Sequence, residues 1–313
     1  MRKPFTDGAG FHGQKRLVTY VRDLYVASKQ TVRAAPPILL VGPPGGGKST
    51  IAAAIANLTE AELIRLDADS RTTPLMICER LLNAPFGTIV FVDEAHALNR
   101  EAQELLQCLI DDHQMPRIAE SGRLDRFERV NVAPLNLVLA TTCPGQIFPA
   151  LFSRLEVCEL DPYSHEELKE IARDSAAEEG VRLTAQAARV IAERCQGSPR
   201  IARRLVSLLV LTNDGALELT QSHAEELLAR RGISRHGLTP SQQQYLRHLA
   251  AAPAGRSSFE RLGAEMRLDG NFVRREIEPY LIHLRAIVIE TSRSRLITDA
   301  GKAIVNELRE VNP

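Results

Sequence analysis

The run Gly42-Pro43-Pro44-Gly45-Gly46-Gly47-Lys48-Ser49 constrains this chain more than any other stretch. It follows the apolar segment Pro37-Ile38-Leu39-Leu40-Val41 and leads into Ile51-Ala52-Ala53-Ala54-Ile55-Ala56, so it reads as strand, glycine-rich loop and helix. Glycines let the backbone wrap closely around phosphate oxygens and turn several N–H donors inward. The helix N-terminus adds partial positive charge beneath them. Lys48 has the reach for β- and γ-phosphates, and the Ser49 hydroxyl suits Mg²⁺. Gly42 to Thr50 therefore form the expected cradle of a nucleoside triphosphate.

Hydrolysis needs a second group, and Thr88-Ile89-Val90-Phe91-Val92 supplies it by ending in Asp93-Glu94. The segment reads as a buried parallel strand. A carboxylate at its C-terminal edge can order Mg²⁺ through water, which falls to Asp93, and the next can polarise the attacking water, which falls to Glu94. A third apolar strand, Leu135–Ala140, ends in Thr141-Thr142, where a hydroxyl could stand between the acids and the phosphate loop. Arg154 follows shortly after, and Arg200 falls in the first turn of a helix that Ser198 and Pro199 begin. Read in isolation, each arginine is a surface charge; a cation in a first turn makes better sense beside an anion.

The order Gly13-Gln14, phosphate loop, Asp93-Glu94-Ala95-His96-Ala97-Leu98-Asn99-Arg100, Ala140-Thr141-Thr142, Ser153-Arg154 and Gly197-Ser198-Pro199-Arg200 resembles the AAA+ ATPases. More narrowly it is similar to the RuvB family, the motors of bacterial Holliday-junction branch migration. Ile277–Ile282 and Thr291–Arg295 resemble that family's C-terminal winged helix, and the likeness runs from about Phe11 to Leu308. It implies ATP with Mg²⁺ as ligands, with Phe11, Gly13 and Gln14 bordering the adenine. It implies Thr142 as first sensor, Arg200 as second, and Arg154 as a finger offered to a neighbouring copy's ATP, hence a homo-oligomer, as in a hexameric ring. Fingers of this kind contribute about 10³–10⁵ in turnover. The sequence also departs from the family pattern. Phe152 and Cys143 stand where the family commonly has arginines, and the hairpin segment Met115–Val130 is charged where the family's, which grips the RuvA adaptor, is apolar.

With 313 residues the chain has room for two or three domains, and its 39 basic and 39 acidic residues cancel, so any DNA contact rests on a local patch. Scattered cysteines without C-x-x-C spacing and the lack of a membrane-length apolar span point to a soluble, cytoplasmic protein. The expected architecture is an α/β AAA+ core with a parallel sheet over residues 1–160, an all-α lid over 161–235, and a winged helix over 236–313. In the last segment, Asn271, Arg274 and Arg275 are expected to face a groove while Phe272, Ile277 and Leu281 anchor the helix. Ala286–Glu290 and Arg295–Thr298 would pair as the wing, with Arg293 and Arg295 at its tip on DNA phosphates. The partner is double-stranded DNA or a four-way junction, and the function an ATP-driven translocase; the alternative is an AAA+ switch or assembly factor that gates a partner without processive movement.

Overall fold

The computed structural model describes residues 12–31, 33–119 and 121–311. The chain divides into two compact units. One holds the residues up to Ser164 together with Ser198–Arg200; the other holds His165–Gly197 and the residues from Ile201 onward.

In the first unit the order is α1 (Lys15–Thr31), β1 (Ile38–Val41), α2 (Lys48–Thr59), β2 (Leu63–Asp67), α3 (Pro74–Leu81), β3 (Ile89–Asp93), α4 (Arg100–Asp112), β4 (Gln114–Ile118), β5 (Leu124–Asn131), β6 (Asn136–Thr141), α5 (Pro149–Phe152) and β7 (Glu156–Glu159). Five strands form a parallel sheet in the order β2-β3-β6-β1-β7. The near-continuous apolar strands follow from burial on both faces. Leu39, Val90 and Leu139 pack with Leu106 and Leu109 of α4 on one side. Ile38, Leu40, Phe91 and Val138 pack with Val21 and Tyr25 of α1 and Ile51 and Ile55 of α2 on the other. Asn99 and Thr73 begin α4 and α3 by accepting the Ala102 and Met76 N–H. β4 and β5 pair antiparallel as the expected hairpin, with a bulge between Pro116 and Arg117. Burial pushes the Cys78 and Cys158 thiols up to about 11, as befits core residues. No described helix is long and apolar enough to cross a membrane.

The second unit continues with α6 (His165–Glu178), β8 (Arg182–Leu183), α7 (Ala185–Arg194), α8 (Pro199–Thr212, whose first two residues group with the first unit), β9 (Glu218–Leu219), α9 (Gln221–Arg230), α10 (Pro240–Ala251), β10 (Arg256–Ser258), α11 (Phe259–Met266), α12 (Gly270–Phe272), α13 (Glu278–His283), β11 (Ile287–Ile289), β12 (Ser294–Ile297) and α14 (Asp299–Val311). Thr184 caps α7, and Thr239 with Gln242 forms a capping box on α10. The helical segment is not purely α: β8 and β9 form a two-residue parallel pair. Between α12 and α13, Val273–Ile277 is a π turn. Pro279 lies just beyond it, lacks an N–H and crowds the preceding carbonyl, so the ladder widens there. Val273, Ile277 and Leu281 are the buried anchors of this stretch, whereas Phe272 is 44% exposed.

The expected wing forms from β11 and β12, joined by β10 in the order β10-β12-β11. Arg295 is not at its tip. Strand alternation points Arg295 and Ile297 inward, and Arg295 is 3% exposed. Its guanidinium donates to both Glu278 oxygens, Nε to Oε1 at 2.7 Å and Nη2 to Oε2 at 3.1 Å, and Nη1 donates to the Thr291 and Ser292 carbonyls. The Tyr245 hydroxyl donates to the same Oε1 at 2.7 Å. Bonding to Glu278 holds Arg295 above the usual arginine range, and burial with that carboxylate pushes the Tyr245 phenol up. A pair this buried tolerates loss of both partners better than loss of one. We expect Glu278→Leu to destabilise this unit by about 3–5 kcal/mol, read as a lowered melting transition. Adding Arg295→Met to Glu278→Leu should recover most of that loss.

Candidate active site

The phosphate loop closes between β1 and α2 in a path that only glycine follows easily. Gly45 and Gly47 have φ of 76° and 94°. A Cβ on Gly45 would stand 2.8 Å from the Arg200 Cβ and 3.0 Å from the Ser198 hydroxyl, and one on Gly46 would stand 3.1 Å from the Pro43 carbonyl oxygen. Lys48 opens α2 and is 6% exposed. Its ammonium donates to the Gly42 carbonyl at 2.8 Å and the Pro43 carbonyl at 3.2 Å. Burial holds it below the usual lysine range, against the opposing pull of Glu94 and Asp93, and Arg200 lowers it further. Tyr163 donates its hydroxyl to the Gly46 carbonyl at 3.1 Å.

β6 lies between β3 and β1, so the acidic pair, the threonines and the loop meet at the C-terminal ends of adjacent strands. Asp93 ends β3, and its Oδ1 accepts the Glu94 N–H at 3.0 Å. Burial raises the Asp93 carboxyl above its ordinary range. Glu94 adopts a left-handed backbone, φ 49° and ψ 45°, a sparsely populated state for a non-glycine residue. The Thr142 hydroxyl donates to Glu94 Oε2 at 3.1 Å. His96 Nδ1 lies 3.2 Å from the same oxygen and 3.0 Å from Thr141 Oγ1. The grouping fits a nucleotide and a divalent cation. The loop is a cradle that any Cβ would fill, a desolvated ammonium calls for an anion, and a desolvated carboxylate calls for a cation. Ser49, in the first turn of α2, and Asp93 are the oxygen donors that would hold that cation.

Arg154 stands apart from this group. It follows α5 and donates through Nε to both Asp111 oxygens, at 2.7 and 2.9 Å, and through Nη1 to the Ala150 carbonyl at 2.6 Å. That bond holds the Asp111 carboxyl below its usual range. Arg200, by contrast, lies against Gly45. Gly13 and Gln14 both have positive φ. The Gln14 amide forms a reciprocal pair with the Asp161 backbone, donating to its carbonyl at 2.5 Å and accepting its N–H at 2.9 Å. Phe11 lies outside the described residues.

Comparison with known proteins places this arrangement. Residues 5–160 match the Holliday junction DNA helicase RuvB P-loop domain, residues 163–209 the RuvB AAA lid domain, and residues 235–306 the RuvB C-terminal winged helix domain. A Holliday junction branch migration complex subunit RuvB from Kosmotoga olearia is 30% identical over 300 residues, covering 91% of this chain and 84% of that protein. The chain belongs to the RuvB family. The RuvB subunit of a Synechococcus species is 31% identical over 94% of this chain and 87% of its own. Among solved structures, the Thermotoga maritima RuvB Holliday junction branch migration motor superposes with a TM-score of 0.79 at 26% identity, covering 95% of this chain and 96% of that one.

Within the winged-helix match of this RuvB-family chain, the cations separate into two kinds. Arg293, in the turn between β11 and β12, and Arg274 and Arg275, on the π turn, are exposed. Arg274 also lies 4.4 Å from the Phe259 ring centroid, and Arg295 lies 4.7 Å from the same centroid. Arg295 is withdrawn from the expected phosphate contacts because its donors are spent on Glu278 and two carbonyls. Four residues of the first unit carry bonds that the sequence did not announce. His96 sits inside a recognisable string, but Thr141, Tyr163 and Asp111 acquire their partners only once sheet order and loop path are known.

Gly45→Ala tests the cradle. A Cβ there meets Arg200 and Ser198 on a left-handed backbone, so nucleotide affinity should fall about tenfold or more, by roughly the 1–2 kcal/mol that left-handed geometry costs a non-glycine residue. Titration with a fluorescent nucleotide reads this directly.

Proposed function

We propose that the chain is an ATP-driven DNA translocase acting on Holliday junctions, hydrolysing ATP at sites that neighbouring copies complete. The observation that carries this reading is the placement of Lys48, Asp93-Glu94 and Thr142 at adjacent strand ends while Arg154 is turned to Asp111. Everything a phosphoryl-transfer site needs is in one place except the finger. In this reading residues 1–160 are the ATPase domain, 161–235 the lid and 236–313 the DNA-binding winged helix.

Each residue then has a task. The loop N–H groups and Lys48 bind the phosphates, with Gly13 and Gln14 at the adenine side. Ser49 and Asp93 would hold Mg²⁺, whose charge offsets that of the phosphate oxygens. Glu94 accepts a proton from the attacking water, and Thr142 stands between that carboxylate and the γ-phosphate. Arg200 lies against the loop as the second sensor. Arg154 exchanges Asp111 for the phosphates of a neighbouring copy, which requires a homo-oligomer, best a ring of six. Arg274, Arg275 and Arg293 contact DNA phosphates. A RuvA-type adaptor would meet the β4–β5 hairpin. That hairpin carries an exposed Arg117–Glu128 ion pair, and this polar surface favours a second reading, an ATP-gated switch or assembly factor with another partner. ATP-dependent strand movement on a synthetic four-way junction, with and without RuvA, separates motor from switch; hydrolysis without movement supports the switch.

Glu94→Gln should bind ATP normally and turn it over about 10²–10⁴ more slowly, the range for a lost general base. Arg154→Ala should also bind and hydrolyse slowly, and mixing it with inactive Lys48→Ala protein should restore turnover, because some interfaces then join an intact loop to an intact finger. No recovery in confirmed assemblies would place the finger in its own chain's site.

Replacing Arg293, Arg274 and Arg275 with alanine should weaken duplex binding evenly across sequences. The slope of log affinity against log salt should fall by about 0.9 for each phosphate the protein no longer neutralises, measured by anisotropy at several salt concentrations. Turnover in the absence of DNA should not change.

A further inference from the structure

We infer that Tyr163 is a positioning residue for the phosphate loop, holding the Gly46–Gly47 peptide in the orientation that turns the Gly47 N–H toward nucleotide phosphate. This role depends on the reading of the loop as a phosphate cradle and adds a residue to it. The Tyr163 hydroxyl donates to the Gly46 carbonyl at 3.1 Å. A trans peptide is planar, so its carbonyl and its N–H point in opposite directions. Fixing the Gly46 oxygen on one side therefore fixes the Gly47 N–H on the other. Among the described residues that N–H has no partner. The Gly46 N–H, by contrast, already donates to the Pro43 carbonyl at 3.1 Å. Gly45 and Gly47 have positive φ while Gly46 does not, an alternation that gathers successive N–H groups into an anion-binding hollow.

The local backbone explains why this peptide needs a hold. Glycines stand on both sides of it, and each tolerates either sign of φ, so neither resists rotation of the peptide plane. Turned over, the peptide would present its carbonyl oxygen to the phosphate oxygens, an acceptor facing acceptors. The hydroxyl selects against that orientation. It also strengthens the Gly47 N–H as a donor, because linked hydrogen bonds polarise one another. The chain that carries the tyrosine is itself anchored. The Leu160 N–H donates to the Val41 carbonyl at 2.8 Å, the Gln14 amide holds the Asp161 main chain, and Pro162 restricts the backbone just before Tyr163. Leu160 closes the same flank of the loop, where a Cβ on Gly46 would stand 3.4 Å from its Cδ2.

Tyr163→Phe in the full chain tests the role, since it deletes the hydroxyl and keeps the ring. In competition against a fluorescent nucleotide, the variant should bind ADP and inorganic pyrophosphate about fivefold more weakly, the worth of one hydrogen bond. Adenosine, which has no phosphate, should compete as well as it does against the parent chain. Turnover at saturating ATP should stay within about twofold, so that KM rises and kcat does not, because the Thr142–Glu94 bond is untouched. A ring that only fills space predicts unchanged pyrophosphate affinity. A loosened fold predicts a lower melting transition without ligand and an equal loss for adenosine and pyrophosphate. Either result overturns the assignment, as does a fall in kcat with KM unchanged. Failure of the parent chain to bind ADP or pyrophosphate removes the phosphate-cradle reading itself; a parent that binds both, beside a phenylalanine variant that binds them equally well, removes only the role of Tyr163.

Discussion

A buried ammonium held by carbonyl oxygens alone is the condition around which the first unit is arranged. Lys48 bonds the Gly42 and Pro43 carbonyls, and no carboxylate among the described residues lies within ion-pair distance of it. Carbonyl dipoles stabilise a cation less than an opposite charge does, so the site keeps a standing attraction for an anion. The glycines follow from that requirement, because a side chain at Gly45 or Gly46 would occupy the anion's place or displace the loop. The strand order follows too. Only with β6 between β3 and β1 do the acids and the threonines reach the same edge as the loop.

The Arg154–Asp111 pair is the counterpart of that design. Both partners are about one-third exposed, and water screens ion pairs of this kind, so the bond is easily exchanged for a stronger one. A phosphate oxygen in a dry interface is a better partner for a planar guanidinium than a solvated carboxylate. The pair thus gives the arginine a defined orientation without fixing it firmly.

Much of this was legible in the sequence. The phosphate loop, the acidic strand end and the third strand stand out because buried parallel strands are written as unbroken apolar runs, and the strand boundaries fall within a residue of expectation. α1 and β7 were not legible for the complementary reason. α1 buries only Val21, Tyr25 and Ser28, and β7 is an edge strand in which Cys158 alone is buried. Arg295 was misread because two arginines around a turn look alike until the strand boundary is known. β12 begins at Ser294, so the pleat sends Arg295 inward with Ile297, whereas Arg293 stands before the strand in the turn and stays exposed. The His96–Thr141 bond escaped notice because the two residues are far apart in the chain and meet only through the pairing of β3 with β6.

The clasp between Gln14 and Asp161 has a consequence for how such a chain tolerates change. Both hydrogen bonds run from the glutamine side chain to the main chain of residue 161. Every amino acid except proline offers that same N–H and carbonyl, so the clasp is indifferent to the side chain at one end. At the other end it is demanding. A glutamate at position 14 would bring two acceptors and no donor, and a shorter asparagine would fall one bond short. Position 161 is therefore free to drift, while position 14 is held by its partner's backbone.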